Sequence, residues 1–506
     1  MSERKRLINN NKTKDYSYLS AFKESLNDYT YIYDIPIKKL YLYRIKLTLL
    51  FIGLLRLIFE AIGYYESEWV NTIMCGEKDP IRMFDERIEL GREILCKSAN
   101  STHFCYKNKL GNYQSDKGVL CKMNNFTLDP SKWQSDNGCV FKGPIDYKVK
   151  GFPLVSKGLF NMMCGIEKQI SDVNSIYDFY FKAWNYTVND TKNLLNQPKY
   201  PELLPEKTIF FVSRNLDSSN LFLGGIGFLN AFSIMKSFYL NPEDIQIVFM
   251  ESINMTNDPF YFLYKELISR AADPVHISNL TKKYFISNAY HIPLNWDSPC
   301  FIFSEVPKCR QATKTYNLLN RDINEYISLP SFKDSIGNSK DIYYYPKTII
   351  NPNSKIYKKF VTIQWRKVYP LGRTGQQRIL GNGPELAEAL AENVPKNIFI
   401  RLVDTAQLNI KDNIALMKRT DFLIGEQGAG LFLSIFLPPK SIVQEIKHKD
   451  NMNVLQLMSS LSGHETYSNI IKAKVEIIDS NEVLFFDVKQ FVKVILNHMR
   501  KNKFFD

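Results

Sequence analysis

From Thr208 onward the chain alternates extended apolar runs with helical ones, and this alternation limits its fold more than any other feature. "TIFFVSRN" reads as a strand, "NLFLGGIGFLNAFSIMKSFYL" as a helix, "DIQIVFME" as a strand and "DPFYFLYKELISR" as a helix. A polar stretch around "SLPSFKDSIGNSKD" reads as a link. The pattern then returns as "KKFVTIQWRK", "GPELAEALAENV", "NIFIRLVD", "DNIALMKRT", "DFLIGE", a glycine turn with its helix, and "SIVQEI". "NVLQLMSSLS" (helix), "AKVEIID" (strand) and a closing helix around "VKQFVKVILNHMRKN" complete it. Strands joined through helices pair in parallel, so the expectation is an α/β protein with two Rossmann-like domains and a cleft between them.

At 506 residues the chain exceeds one ordinary core, which fits two domains plus an appendage. A content of 45% hydrophobic and 13% aromatic residues is that of a folded chain. The net charge of +13 could serve nucleic acid, but the 65 basic residues are scattered and no tract interleaves arginine with aromatics, so nucleic-acid binding is not expected. A basic surface also suits a membrane-proximal protein or one that binds nucleotides and phosphates.

Six of the eight cysteines (Cys75, Cys96, Cys105, Cys121, Cys139, Cys164) crowd one early segment, and Cys300 and Cys309 flank "FIFSEVPK". No CxxC occurs and the six histidines stand apart, which argues against zinc and for disulfides in an oxidising compartment over buried free thiols. Residues 47–65, "LTLLFIGLLRLIFEAIGYY", are long enough to span a bilayer, and Arg56 and Glu60, four apart on one helical face, can pair. Lys38, Lys39, Arg44 and Lys46 precede the run, against Lys78 and Arg82 after it, so the N-terminus is expected in the cytosol; a buried amphipathic helix is the alternative. N-x-S/T sequons begin at Asn100, Asn125, Asn185, Asn189, Asn254 and Asn279, on the side that this topology makes lumenal. The expected organisation is a cytosolic tail (1–46), a signal anchor (47–65), a cysteine-rich stem and start of the first domain (66–200), the first Rossmann-like domain (201–345) and the second (346–506). The expected location is the Golgi or endoplasmic reticulum membrane, single-pass type II.

In "DFLIGEQGAGLFLSIFLPP" an apolar strand enters a glycine turn and leaves as an apolar helix. A helix that starts directly after a strand offers unpaired N–H groups and a positive dipole end, and Gly428 and Gly430 remove side chains that would hold a diphosphate away. A tight turn required only by packing is the alternative.

The stretch "RTDFLIGEQGAGLFLSIFLPPKSIVQEI" resembles the signature of family-61 glycosyltransferases: a strand, an HGAGL-type turn, "FLPP", and a strand ending in Glu. "VTIQWRK" followed by "QQRILGN", and upstream "NLFLGGIGFLNAF", resemble two further motifs of that family, in family order. The resemblance implies a GT-B fold and a lumenal, inverting transferase that moves GlcNAc or xylose from a UDP-sugar onto a glycoprotein or glycan. It implies that Gly428, Ala429 and Gly430 face the diphosphate, that Arg366 and Arg378 neutralise it, and that Glu445 contacts the nucleoside. Gln427 and Asn220 join this nucleotide-sugar set. A forked guanidinium suits a phosphate, although a surface ion pair is the plainer role for either arginine.

The departures concern catalysis. The family usually carries His where this chain has Gln427 and Leu223, and Asp where it has Gly227. Gln427 can keep a hydrogen bond to phosphate but cannot move a proton, and Leu223 and Gly227 can do neither. Glu426, Asp217 and Asp404 are the candidate bases, each with a cap or an ion pair as its plain alternative. No D-x-D triplet occurs, so no obligatory metal is expected and UDP-sugar is the only small molecule implied. Two rivals remain: a dinucleotide oxidoreductase, opposed by the ten-residue step from Asn215 to Gly225 and by Asn230 in place of the third glycine, and a catalytically silent family member that binds nucleotide-sugar or glycan without turnover.

Overall fold

In the computed structural model, residues 92–98, 101–106, 120–136, 139–141, 147–149, 152–155, 157–164, 184–186, 203–213, 221–251, 258–292, 311–330, 342–345, 359–365, 378–447, 462–478 and 481–505 are described. The expected membrane segment, 47–65, lies outside them, and among the described residues no helix is long and apolar enough to cross a membrane. Both expected halves fall in one compact unit, Cys75–Asp506, distinct from Met1–Met74.

The first sheet is built from β1 (Arg92–Lys97), β2 (Thr102–Tyr106), β3 (Leu120–Leu128), β4 (Phe160–Met162), β5 (Trp184–Tyr186), β6 (Thr208–Val212), β7 (Ile245–Phe249), β8 (Val275–His276) and β9 (Tyr284–Ile292). Its order is β1-β2-β3-β9-β6-β7-β8, with β4 on β3 and β5 on β4. The strands β9-β6-β7-β8 run parallel. Numbered along the chain from β6 they read 4-1-2-3, the order of a Rossmann half. Strands from the cysteine-rich region extend this sheet antiparallel through β3, and Cys96 is joined to Cys164 by a disulfide. Helix α1 (Leu221–Ser237) follows β6, and α2 (Gln311–Tyr326) follows β9. The stretch read as one helix from "DPFYFLYKELISR" is a short turn, Tyr261–Leu263, running into a π-helical turn, Tyr264–Ile268.

The second sheet contains β10 (Ile342–Tyr345), β11 (Lys359–Gln364), β13 (Ile398–Val403), β14 (Phe422–Glu426), β15 (Ile442–Lys447) and β16 (Glu465–Ile470). Its order is β10-β13-β11-β14-β15-β16, all parallel except the edge strand β10. The parallel strands read 2-1-3-4-5 along the chain, the flavodoxin-like doubly wound order. Helices α3 (Gly383–Asn393), α4 (Ile410–Met417) and α5 (Val488–Lys501) complete it. A small separate sheet holds β12 (Arg378–Leu380), β18 (Asn481–Phe486) and β17 (Ala473–Ile478) in the order β12-β18-β17. The fifth parallel place therefore goes to the polar "ETYSNI" of β16, whereas the apolar "AKVEII" forms an antiparallel hairpin strand of the small sheet. The helix expected after the glycine turn is an eight-residue 3-10 segment, Ala429–Phe436, ended by Pro438 and Pro439.

The central strands of both sheets are buried on both faces, as parallel strands require. Ile209 and Phe211 look into one core with Met123 and Phe126, and Val361, Ile363, Phe422 and Ile424 into another beneath α3 and α5. The remaining faces share a third core: Phe210, Phe228 and Phe232 of the first half meet Ile414, Leu423, Leu431, Phe432 and Phe436 of the second. A Cβ on Gly225 of α1 would fall 2.1 Å from the Phe432 ring, so glycine is what lets α1 lie directly against the 3-10 segment.

Candidate active site at the carboxyl ends of the second sheet

In the 2-1-3-4-5 order the chain leaves β11 and β14, which are neighbours, towards opposite sides, and such a switch point opens a crevice outside the carboxyl ends of the two strands. Gln364 ends β11 and Glu426 ends β14 there. Gln364 is buried, and its Nε2 donates to the Gly430 carbonyl at 3.0 Å, fastening the first sheet strand to the far side of the glycine turn. A Cβ at Gly425 would lie 2.8 Å from both Gln364 Oε1 and Leu431 Cδ2, so a larger residue fits only if these two side chains shift.

Gly428 is different. Its backbone is extended, φ 176° and ψ 170°, a conformation open to any residue. An added Cβ would meet the Glu426 carbonyl at 3.8 Å, an ordinary contact. Neither backbone geometry nor packing accounts for a glycine at 428, which removes the purely structural explanation of the turn at that position. The turn itself is fixed: the Gln427 N–H donates to the Ile446 carbonyl at 2.9 Å and the Leu431 N–H to the Gly428 carbonyl at 3.0 Å. The amide dipoles of Ala429–Phe436 add partial positive charge at its mouth.

The face of the sheet under the turn ends in a polar row. Gly425 pairs with Glu445, and Glu445 with Ser468. Glu445 is 1% exposed; its Oε2 accepts from Ser468 Oγ at 2.9 Å and lies 3.4 Å from Lys447 Nζ. Its Oε1 is buried with no hydrogen-bond partner among the described residues. Burial pushes the Glu445 carboxyl above its ordinary value, while Ser468 and Lys447 pull it back.

Beside β11, Trp365 anchors the neighbouring strand. Its N–H donates to the Val403 carbonyl at 2.8 Å and its indole Nε1 to the Leu380 carbonyl at 3.0 Å. A Cβ at Gly383 would fall 2.7 Å from the Trp365 ring, so the start of α3 presses on it. This brings β12, which begins with Arg378, alongside β11; the Arg378 side chain, Arg366, Asp217, Asn220 and the Leu223 side chain lie outside the described residues. Gln427, Gly428, Ala429, Gly430 and Glu426 are together on the turn, with Glu445 in the adjacent strand.

Of the candidate bases, Asp404 is fully buried and caps the turn after β13, its carboxylate accepting from the Ala406 N–H at 3.3 Å and its carbonyl from the Gln407 N–H at 3.1 Å. Glu426 is half-buried at the mouth of the turn. Gly227 sits inside the shared core, where a Cβ would lie 3.1 Å from the hydroxyl of the fully buried Tyr264. Among the described residues no group of three or more His, Cys, Asp or Glu side chains could hold a metal ion. Gln364, Trp365, Gly425 and Ser468 were not singled out from sequence. The available signals were a polar residue closing an otherwise apolar strand in "VTIQW" and a third glycine ahead of the turn in "LIGEQGAG".

Residues 246–444 match the family described as Glycosyltransferase 61. This part of the chain is similar to glycosyltransferase family 61, which supports membership of that family. The match begins within β7 and ends within β15, so it takes in strands of both sheets, β11, β12 and the whole glycine turn. The α1 motif that resembles the family lies before it, and Glu445 one residue beyond it. No curated protein matches the chain. The match supports glycosyl transfer from a sugar donor to a glycan or glycoprotein.

Proposed function

We propose that the protein is a GT-B transferase that moves a sugar, GlcNAc or xylose, from a UDP-sugar to a glycoprotein or glycan with inversion, as a type II protein of the Golgi or endoplasmic reticulum membrane. The observation that carries the reading is the place of the turn: a glycine that the fold itself does not need, Gly428, stands at the switch point of a doubly wound sheet inside the family match. There the diphosphate of UDP would lie over Gly428, Ala429 and Gly430, with Gln427 donating a hydrogen bond and Arg366 and Arg378 supplying positive charge. The open Oε1 of Glu445 is a buried acceptor suited to a nucleoside hydroxyl. Leaving-group charge would thus be met by backbone amides and arginines, without an obligatory metal.

Asp404 is committed to capping its own turn, so Glu426 and Asp217 stand ahead of it as bases. Gly227 favours a second reading. Where relatives carry a carboxylate, this chain has none, and the Tyr264 hydroxyl fills the adjacent space. A nucleotide-sugar-binding member without turnover would look like this. Titration of UDP into the full chain, combined with a screen for UDP-sugar hydrolysis, separates the two. Binding with turnover of a donor supports the transferase, binding without turnover of any donor supports the silent member, and absence of UDP binding refutes both.

A further inference from the structure

Strand β17 (Ala473–Ile478) ends the small sheet: it pairs with β18 on one side, and among the described residues no strand pairs with the other. An unpaired edge offers a row of backbone N–H and C=O groups to another strand, and folded proteins usually blunt such edges with bulges, prolines or clustered charge. This edge has no proline and carries Val475, Ile477 and Ile478, 41%, 63% and 38% exposed, with Ile470 at 60% just ahead of it. Half of the exposed large hydrophobic residues among those described thus fall within nine positions, an interaction surface rather than scattered exposure.

Its two charges say what the surface fits. Lys474 and Glu476 flank Val475 symmetrically, and they sit 2.6 Å apart on the open strand. In an antiparallel pair of identical strands related by a two-fold axis at Val475, residue 474 of one copy faces residue 476 of the other. Each Lys474 then meets a Glu476 across the strands, twice, and each Ala473 meets an Ile477, so the short side chain receives the long one. Opposite charges and apolar pairs directly across an antiparallel ladder are favourable, and like charges are not. A slip by two residues, with the axis at Glu476, would set Glu476 against Glu476 and break both charge pairs. A strand from an unrelated protein would have no reason to match this symmetry.

We infer that the protein associates with a second copy of itself through β17, forming a continuous sheet across a two-fold axis at Val475. Alternate residues of an edge strand turn both backbone groups outward, so the pairing adds main-chain hydrogen bonds to the side-chain matches. The association would set two β12-β18-β17 sheets side by side and does not use the glycine turn.

The test is sedimentation of the full chain in mild detergent, wild type against Lys474→Glu, Glu476→Lys and the double exchange. The expected result is a dimer for wild type, a dissociation constant at least tenfold weaker for each single variant, since each sets like charges opposite each other, and recovery in the double exchange. Val475→Cys should form an intermolecular disulfide under mild oxidation. A monomeric wild type would overturn the proposal, as would another part of the same chain covering this edge, seen as a Val475→Cys variant whose thiol is protected in a monomer. A dimer that withstands both single charge reversals and yields no Val475→Cys cross-link would place the interface elsewhere and overturn it equally. Circular dichroism on the single variants excludes unfolding as the reason for dissociation.

Discussion

The two parallel sheets use glycine after a strand for opposite ends. Behind β6 of the first sheet, Gly225 and Gly227 are filled by neighbours: the Phe432 ring takes the space at Gly225 and the Tyr264 hydroxyl closes on Gly227. Among the described residues there, Glu251 just after β7 is buried and its carbonyl lies 2.7 Å from His276 Nδ1. Behind β14 of the second sheet the first glycine, Gly425, is again consumed by packing, against Gln364 and Leu431, but Gly428 is not. Glycine pairs that follow a strand therefore look alike in sequence, while neighbours take the space at Gly225 and Gly227 and not at Gly428. What separates them is the space beyond the missing Cβ.

The sharpest way to break this comparison is to refill the glycines. Gly225→Ala drives a methyl into Phe432 at the shared core and should cost about 3 kcal/mol, read by denaturant unfolding of the full chain, because a packed core yields little to an inserted group. A cost below about 0.5 kcal/mol would mean that the two halves do not depend on a common core.

Acid separates the sheets next. In the first sheet burial holds the imidazole of His103 down to about 3, with His291 nearby adding to the effect, and burial holds His291 down to about 4. In the second half burial holds His464 down to about 4, against an opposing, raising influence of the Ser434 backbone. These folded-state values lie below the unfolded value of about 6.5, so the unfolded chain binds the protons first. The stability is fully present above about pH 6.5 and is lost as the pH falls towards 4, at roughly 2 kcal/mol per histidine by pH 5. His291→Phe should flatten the acid limb of a stability-against-pH curve, and an unchanged slope would show that the ring is protonated in the fold.

Within the turn, Gly425→Ala should cost about 1–2 kcal/mol in the same assay, since Gln364 and Leu431 must move. The smallest expected effect on folding among these is that of Gln364→Leu, about 1 kcal/mol, because it gives up the single bond to Gly430. It should nevertheless weaken UDP binding several-fold by loosening the turn, as measured by titration. Unchanged affinity would mean that the turn keeps its shape without that bond.

The sequence made the succession of strands and helices readable because buried parallel strands such as "TIFFV" and "FLIGE" are apolar throughout. It misled at β16 and β17. An edge strand needs no apolar run, so "ETYSNI" passed unnoticed, while "AKVEII" read as the next strand of the alternation and is an exposed strand of the small sheet. The 3-10 form of Ala429–Phe436 was also hidden, since its apolar residues suit any buried helix and Pro438 marks only where it stops. At the candidate site, the glycines and Glu445 could be named from the motif, and the structure places them on the turn and in the adjacent strand. Gln364 and Ser468 were not, because their roles depend on the register of β11, β14, β15 and β16 and on a turn folding back over them.

The central claim is that the switch point of the second sheet seats a nucleotide diphosphate where Gly428 has left room. Isothermal titration of UDP into the full chain, wild type against Gly428→Ala, tests it most directly, because alanine at this position meets no clash and no forbidden backbone. The account predicts that wild type binds UDP and that Gly428→Ala folds with wild-type stability while binding at least tenfold more weakly. Absence of UDP binding by the wild type, or equal affinity in the two proteins, would contradict it.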